Sequence, residues 1–364
     1  MIRASKIGLG LLAVLGLGWP ASAQVTKYTV IDLGNLEGGT VNDVNNPSQA
    51  VGTFVNGDAV SHAFTGRVKV DLTQTDLGTL GGVNCQFCQS FGRGINDGFQ
   101  IVGRSDTDDA TTRAFLFTTA SGMQDLGTSG GSNSDAEGLN FSKVTGKATQ
   151  IVGSSFTPDD SAIHAVTWDA NFNILDLGTL GGTNSSAWGN NFAQQVVGEA
   201  DTDIVDPNTG ITETHAFVWD SVHGMQDLGS LGGDFAQANG INSSGQIVGL
   251  SSLPGELQIE AFLYQNGTMK DLGNLGGTSL FSQATGINNP GTVVGFSNVT
   301  INGVVDVHAF VWTSKGGLQD LNSLIPANSG WDLQAANSIN SNGKIVGAGT
   351  FNGESHGFAL IPTP

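Results

Sequence analysis

Four short marks recur seven times each, always in the same order, and this repetition constrains the fold of the 364-residue chain more than any other feature. Asp-Leu begins at Asp32, Asp76, Asp125, Asp176, Asp227, Asp271 and Asp320, a mean period of 48 residues. Gly-Ile-Asn or a variant ends at Asn45, Asn96, Asn140, Asn191, Asn242, Asn288 and Asn340. Val-Gly ends at Gly52, Gly103, Gly153, Gly198, Gly249, Gly295 and Gly347. His-Ala-Phe or a variant begins at His62, Arg113, His164, His215, Glu260, His308 and His356. Each mark lies in a run of 4–6 residues rich in Val, Ile, Phe and Trp and bounded by Gly, Asn and Ser, which is the pattern of a short strand. Asn-Ser-Ser-Gly (242–245) and Asn-Asn-Pro-Gly (288–291) have the length and chemistry of tight hairpin turns.

Four short antiparallel strands per unit of this size predict a propeller blade. No 3.6-residue apolar pattern supports an α-solenoid, and a parallel β-helix needs repeats of roughly 20–25 residues. With strands A (Gly-Ile-Asn), B (Val-Gly), C (His-Ala-Phe) and D (Asp-Leu-Gly), the chain opens on an orphan D and closes on an orphan A–B–C. The fold expected is all-β: a seven-bladed β-propeller of four-stranded antiparallel blades, with the N-terminal strand closing the last blade. The blades are 41–80, 92–129, 136–180, 187–231, 236–275, 283–324, and 335–360 with 28–34. The whole scheme requires residue 30 to lie beside residue 358.

Residues 1–23 read as a secretory signal: Arg3 and Lys6, then an apolar stretch from Ile7 to Trp19, then Ala21-Ser22-Ala23 as a cleavage site. Residues 24–364 then form one domain, released outside the cell or into the periplasm. The chain carries 13 Lys+Arg against 32 Asp+Glu; without Arg3 and Lys6 its net charge moves from −19 to −21. So few cations exclude a basic nucleic-acid face, and no later segment is apolar enough to be a membrane helix. The acidic surface suits a monomer. Cys85 and Cys88 are the two cysteines, and in an exported chain a local disulfide is the default.

The repeat resembles the HAF-repeat family of extracellular repeat proteins. The resemblance rests on His215–Trp219 and His308–Trp312 (His-Ala-Phe-Val-Trp), on Asp76–Gly82 and Asp176–Gly182 (Asp-Leu-Gly-Thr-Leu-Gly-Gly) and on Gly240–Gly249, and it covers nearly all of residues 24–364. Arg113 and Glu260 replace the His, and Val166 replaces the Phe. The resemblance implies an exported propeller-like protein and no established activity. Members of the family often carry a C-terminal sorting tail; its absence before Pro364 implies free release.

A residue present in every blade is scaffold, so functional residues are sought where blades differ. In strand A, Ala-x-Gly-Ile-Asn, the x column is the most variable: Asn42, Arg93, Glu137, Trp188, Asn239, Thr285 and Asn337. If strand A is innermost, this column lines the central channel. Its amides, one cation, one carboxylate and one indole suit a polyhydroxylated ligand, with Arg93, Glu137, Trp188, Asn239 and Asn337 as the binding candidates. The loop Asp201–Glu213 is the longest between strands B and C. Its Asp201, Asp203, Asp206, Asn208 and Glu213 are oxygen ligands at close spacing and a candidate calcium site, with Asp106, Asp108 and Asp109 a smaller second cluster. No nucleophile elbow, zinc-protease helix or phosphate loop is present. The expected function is a secreted binding module for polysaccharide or an extracellular protein. The alternatives are a carbohydrate-active hydrolase or lyase using Glu137 and Arg93, and a structural matrix protein.

Overall fold

The computed structural model describes residues 27–363 apart from 37, 83–84, 207–209, 256–257 and 277–279. The signal reading of residues 1–23 and the candidate ligand Asn208 lie outside the described residues. The described strands form seven four-stranded sheets, every strand pair antiparallel. In blade 2, for example, strands A to D are Ser90–Ile95, Ile101–Asp106, Thr112–Thr118 and Gly122–Asp125. The seven A strands contact one another in a closed circuit around the axis, so strand A is innermost. Blade 7 is built from both ends of the chain: Trp331–Ile339, Ile345–Phe351 and Glu354–Thr363 are completed by Lys27–Gly34. Val30 pairs with Leu360 and Asp32 with Phe358, the closure that the orphan strands require.

The reason the ring holds is visible in its cores. Seven hydrophobic clusters occupy the seven blade–blade interfaces. Between blades 1 and 2, for example, Val51, Ala63 and Leu77 meet Ile95, Ile101 and Phe115. Alternation along strand C sends the Ala of His-Ala-Phe to the following blade and the Phe to the preceding one. Phe64, Phe115, Phe217, Phe262, Phe310 and Phe358 are wholly buried this way. Each removes enough apolar surface from water to contribute about 1.5–3 kcal/mol.

Side-chain latches repeat with the same period. A serine two residues before the strand-A alanine, or before Gly92 in blade 2, accepts the strand-C alanine N–H of the preceding blade, as in Ser134 with Ala114 and Ser90 with Ala63, both 2.9 Å. The Asn of Gly-Ile-Asn donates Nδ2 to the same Asn's carbonyl in the following blade in six of the seven steps, ending with Asn340 to Asn45 at 3.0 Å. Its Oδ1 accepts backbone N–H groups of its own A–B turn, as from Gln49 at 2.7 Å. The asparagine is repeated because it fixes a turn and ties two blades at once.

The repeated His and Asp are also partners. Histidine Nδ1 meets the Asp-Leu-Gly carboxylate of the same blade at 2.7–2.9 Å in His62–Asp76, His164–Asp176, His215–Asp227, His308–Asp320 and His356–Asp32. The same Asp accepts the N–H two residues on, as Asp76 does from Gly78 and Asp320 from Asn322. The imidazoles therefore orient strand C against strand D.

Candidate functional site

The x residues line the channel because of a bulge. In every blade the strand-A register slips at this position: Ala136 pairs with Gly153 and Gly138 with Val152, which leaves Glu137 as the extra residue. The same slip isolates Asn42, Arg93, Trp188, Asn239, Thr285 and Asn337. A bulge re-aims the unpaired side chain, here toward the axis. All seven x residues line one cavity in the channel.

They do not play one role. Asn42 Nδ2 donates to the Gly92 carbonyl at 2.7 Å and Asn239 Nδ2 to Ala284 at 2.8 Å. Thr285 Oγ1 donates to Ala336 at 2.6 Å and Asn337 Nδ2 to Val41 at 2.8 Å. In each case the acceptor belongs to the inner strand of the following blade. The N–H groups of Asn239 and Asn337, two of the binding candidates, therefore tie blades together.

Arg93, Glu137 and Trp188 sit on consecutive blades and make no such tie. They gather neighbours. Asp135 lies two residues before Glu137 on the same strand face. Arg104 and Glu199 follow the Val-Gly glycines of blades 2 and 4. All three lie on the side of the bulge nearer the B–C and D–A loops, so the group occupies that mouth of the channel. Arg93 Nη2 and Arg104 Nη1 both approach Asp135 Oδ2, at 3.5 Å each, and Arg93 Nε stands 3.5 Å from Glu137 Oε1. Arg104 stacks on Phe91, 4.8 Å from the ring centre.

The acids are perturbed. Glu137 is raised to about 8, by burial first and by the Asp135 charge second, against the opposing pull of Arg93 and Arg104. Burial also raises Asp135, against the same two guanidinium groups. Glu199 is raised to about 7 by burial, with the Trp188 indole pulling it down. Four buried side-chain polar atoms among the described residues lack a well-formed hydrogen bond, and three of them are here: Arg93 Nε, 3.5 Å from Glu137, Asp135 Oδ1, beside the Glu137 carboxyl, and Trp188 Nε1, which meets only Glu199 and weakly. Buried polar groups are nearly always bonded, so this concentration marks a place where the fold leaves hydrogen-bonding capacity unused.

Sequence reasoning found Arg93, Glu137 and Trp188 through the variable column. It missed Arg104 and Glu199. Their signal is a second variable column, the residue after Val-Gly, which is charged in blades 2 and 4 alone: Thr53, Arg104, Ser154, Glu199, Leu250, Phe296 and Ala348.

The candidate calcium ligands do not converge among the described residues. Asp201 Oδ2 accepts the backbone and side-chain N–H of Asn184, both at 3.0 Å, and its Oδ1 accepts Thr214 Oγ1 at 2.9 Å. Glu213 Oε2 turns to His215 Nε2 at 3.2 Å. In the second cluster, Asp106 accepts from Gln89 and Thr112 while Asp109 accepts from Thr107 and Thr111. Asp201, Glu213, Asp106 and Asp109 each fix a separate contact, and no group of three or more His, Cys, Asp or Glu among the described residues is set to hold a metal ion. Cys85 and Cys88 form the expected disulfide, with a Cα–Cα distance of 5.4 Å, and the loop it staples carries the exposed Phe87. No helix among the described residues is long and apolar enough to cross a membrane.

No protein-family model matches the chain, and no curated protein does. Solved structures do resemble it. A puromycin-hydrolyzing peptidase of Mycobacterium tuberculosis aligns over 87% of this chain and 51% of its own, at 12% identity and a TM-score of 0.54. TolB of Acinetobacter baumannii aligns over 72% of this chain and 63% of its own, at 12% identity and a TM-score of 0.44. A gluconolactonase of Xanthomonas campestris aligns over 79% and 92%, at 11% identity and a TM-score of 0.39. The chain thus spans about half the length of the peptidase and under two thirds of TolB. At such identities the likeness is one of fold: the protein is a seven-bladed β-propeller.

Proposed function

We propose that this chain is a secreted HAF-type repeat protein that acts as a binding module, with polysaccharide as the ligand of the channel mouth on blades 2–4. The observation that carries the reading is the group of three buried polar atoms on Arg93, Asp135 and Trp188 that have no well-formed hydrogen bond within the protein. Two are donors and one is an acceptor. Sugar hydroxyls are both, and a half-buried indole offers a flat face to a pyranose ring. Secretion is supported by the leader pattern of residues 1–23 and by the Cys85–Cys88 disulfide. The test is retention on a panel of immobilised neutral and acidic polysaccharides. Wild type is expected to be held by at least one, and Trp188→Ala to bind about tenfold more weakly, a loss of about 1.4 kcal/mol. Passage of the wild type through every column removes the proposal.

One observation favours a second reading. A Glu137 carboxyl still protonated near neutral pH, beside Asp135, has the makings of a general acid. A glycan hydrolase or lyase using Glu137 and Arg93 releases product from a bound polysaccharide and loses turnover in Glu137→Gln. Binding without product decides for the module.

A further inference from the structure

We infer that the mouth site selects an acidic glycan, with a sugar carboxylate held by Arg93 and Arg104 and the neighbouring ring covered by Trp188. This rests on the polysaccharide-binding reading and narrows it. Cations are scarce: 13 Lys and Arg stand against 32 acids in the chain. Two of them nevertheless converge at the channel mouth, on a single oxygen, Asp135 Oδ2.

That internal contact does not saturate them. Each N···O distance is 3.5 Å, as is that from Arg93 Nε to Glu137. Charge-assisted bonds between guanidinium and carboxylate normally close to 2.7–2.9 Å. Asp135 thus holds the two forks apart and in place while most of their ten N–H donors stay uncommitted. Arg104 is partly exposed, and its plane is fixed by the Phe91 ring beneath it. Planar, pre-oriented guanidinium groups suit bidentate recognition of a carboxylate. Asp135 offsets one of the two guanidinium charges, but burial keeps Glu137 protonated and Glu199 partly so, and the acids nearby do not cancel the second at neutral pH. An amino sugar meets two guanidinium groups of its own sign. A neutral sugar leaves both forks short of partners. The acidic surface elsewhere acts weakly at this distance, since the screening length at physiological salt is about 8 Å.

The experiment is calorimetry with four probes: an oligogalacturonate, a maltooligosaccharide of the same length, a deacetylated chitooligosaccharide and a poly-glutamate peptide. They are titrated into wild type, Arg104→Gln, Arg104→Lys and Trp188→Ala, each first checked by thermal melting. Oligogalacturonate is expected to bind at least tenfold more tightly than the neutral oligomer. Arg104→Gln abolishes that preference with the melt unchanged, Arg104→Lys restores part of it, and Trp188→Ala weakens both glycans. Equal binding of the neutral oligomer, or a preference that survives Arg104→Gln, overturns acid selection and leaves polysaccharide binding standing. Poly-glutamate binding as tight as oligogalacturonate overturns it in favour of an acidic peptide. If no glycan binds, the broader reading falls with it.

Discussion

Glu137 holds its proton because the bulge turns it into the narrow channel, where burial and the Asp135 charge penalise the anion more than Arg93 and Arg104 favour it. The consequence for stability has a definite sign. Its folded pKa of about 8 lies above the ordinary 4.5, so the fold retains a proton that the unfolded chain has released. Stability falls as pH rises from about 4.5 to about 8, by up to about 1.4 kcal/mol per pH unit, and then levels. Glu137→Gln removes this dependence. Its gain over wild type in urea unfolding is expected to be larger at pH 9 than at pH 5; an equal gain at both means that the carboxyl ionises like an exposed one. Residue-level chemistry was only half legible in the sequence. That His308 is scaffold follows from its repetition, but its tie to Asp320 joins two marks 12 residues apart that pattern alone treats separately. Arg104 escaped because it belongs to strand B and meets Asp135 only across a blade boundary.

Among elements, the bulged A–B pair is the unit that makes both the channel lining and the close blade packing. The Val-Gly glycine lies opposite the bulge, and a Cβ there collides with the strand-A backbone and the buried Phe. At Gly249 the obstacles are the Gln237 carbonyl and Phe262. The strand-A glycine after the bulge is different: a Cβ on Gly240 meets nothing nearer than 3.7 Å. Gly249→Ala is therefore expected to cost about 1–3 kcal/mol as an overpacking change. Gly240→Ala is expected to be neutral or to gain roughly 0.4–1 kcal/mol by restricting the unfolded chain. Denaturant midpoints of the two variants check this, and equal losses contradict the assignment of the two glycine columns. The Val-Gly column is glycine in all seven blades and the strand-A column in five, and recurrence alone does not say why. What separates them is a register slip, which period-two patterning does not reveal. The blade itself was legible because strand length, turn chemistry and order repeat seven times.

At the scale of the molecule, the ring is sealed where its covalent continuity ends, and the seam is reinforced. In the strand-A glycine column two positions carry side chains, Asp43 and Ser338, and they face each other across the joint between blades 7 and 1. Ser338 Oγ donates to Asp43 Oδ1 at 2.6 Å, and Ile95 N–H donates to Asp43 Oδ2 at 2.9 Å, so three blades meet on one carboxylate. Asn337 to Val41, Asn340 to Asn45 and Lys344 to Ser48 continue the joint outward. The N-terminal strand completes it by burying Tyr28 and Leu33, each worth about 1.5–3 kcal/mol, and by placing Asp32 2.8 Å from His356. Without residues 27–34 the strand Glu354–Thr363 becomes an open edge, a template for pairing with another chain. A chain beginning at Asn35 is thus expected to melt earlier and to self-associate in sedimentation. A synthetic peptide of residues 27–34 added in trans restores the melt and the monomer, and the same peptide with Asp32→Ala restores them less well, because His356 loses its partner. A truncated chain as stable and as monodisperse as the whole one breaks the link between strand exchange and ring closure, since the seam would then hold through blades 7 and 1 alone.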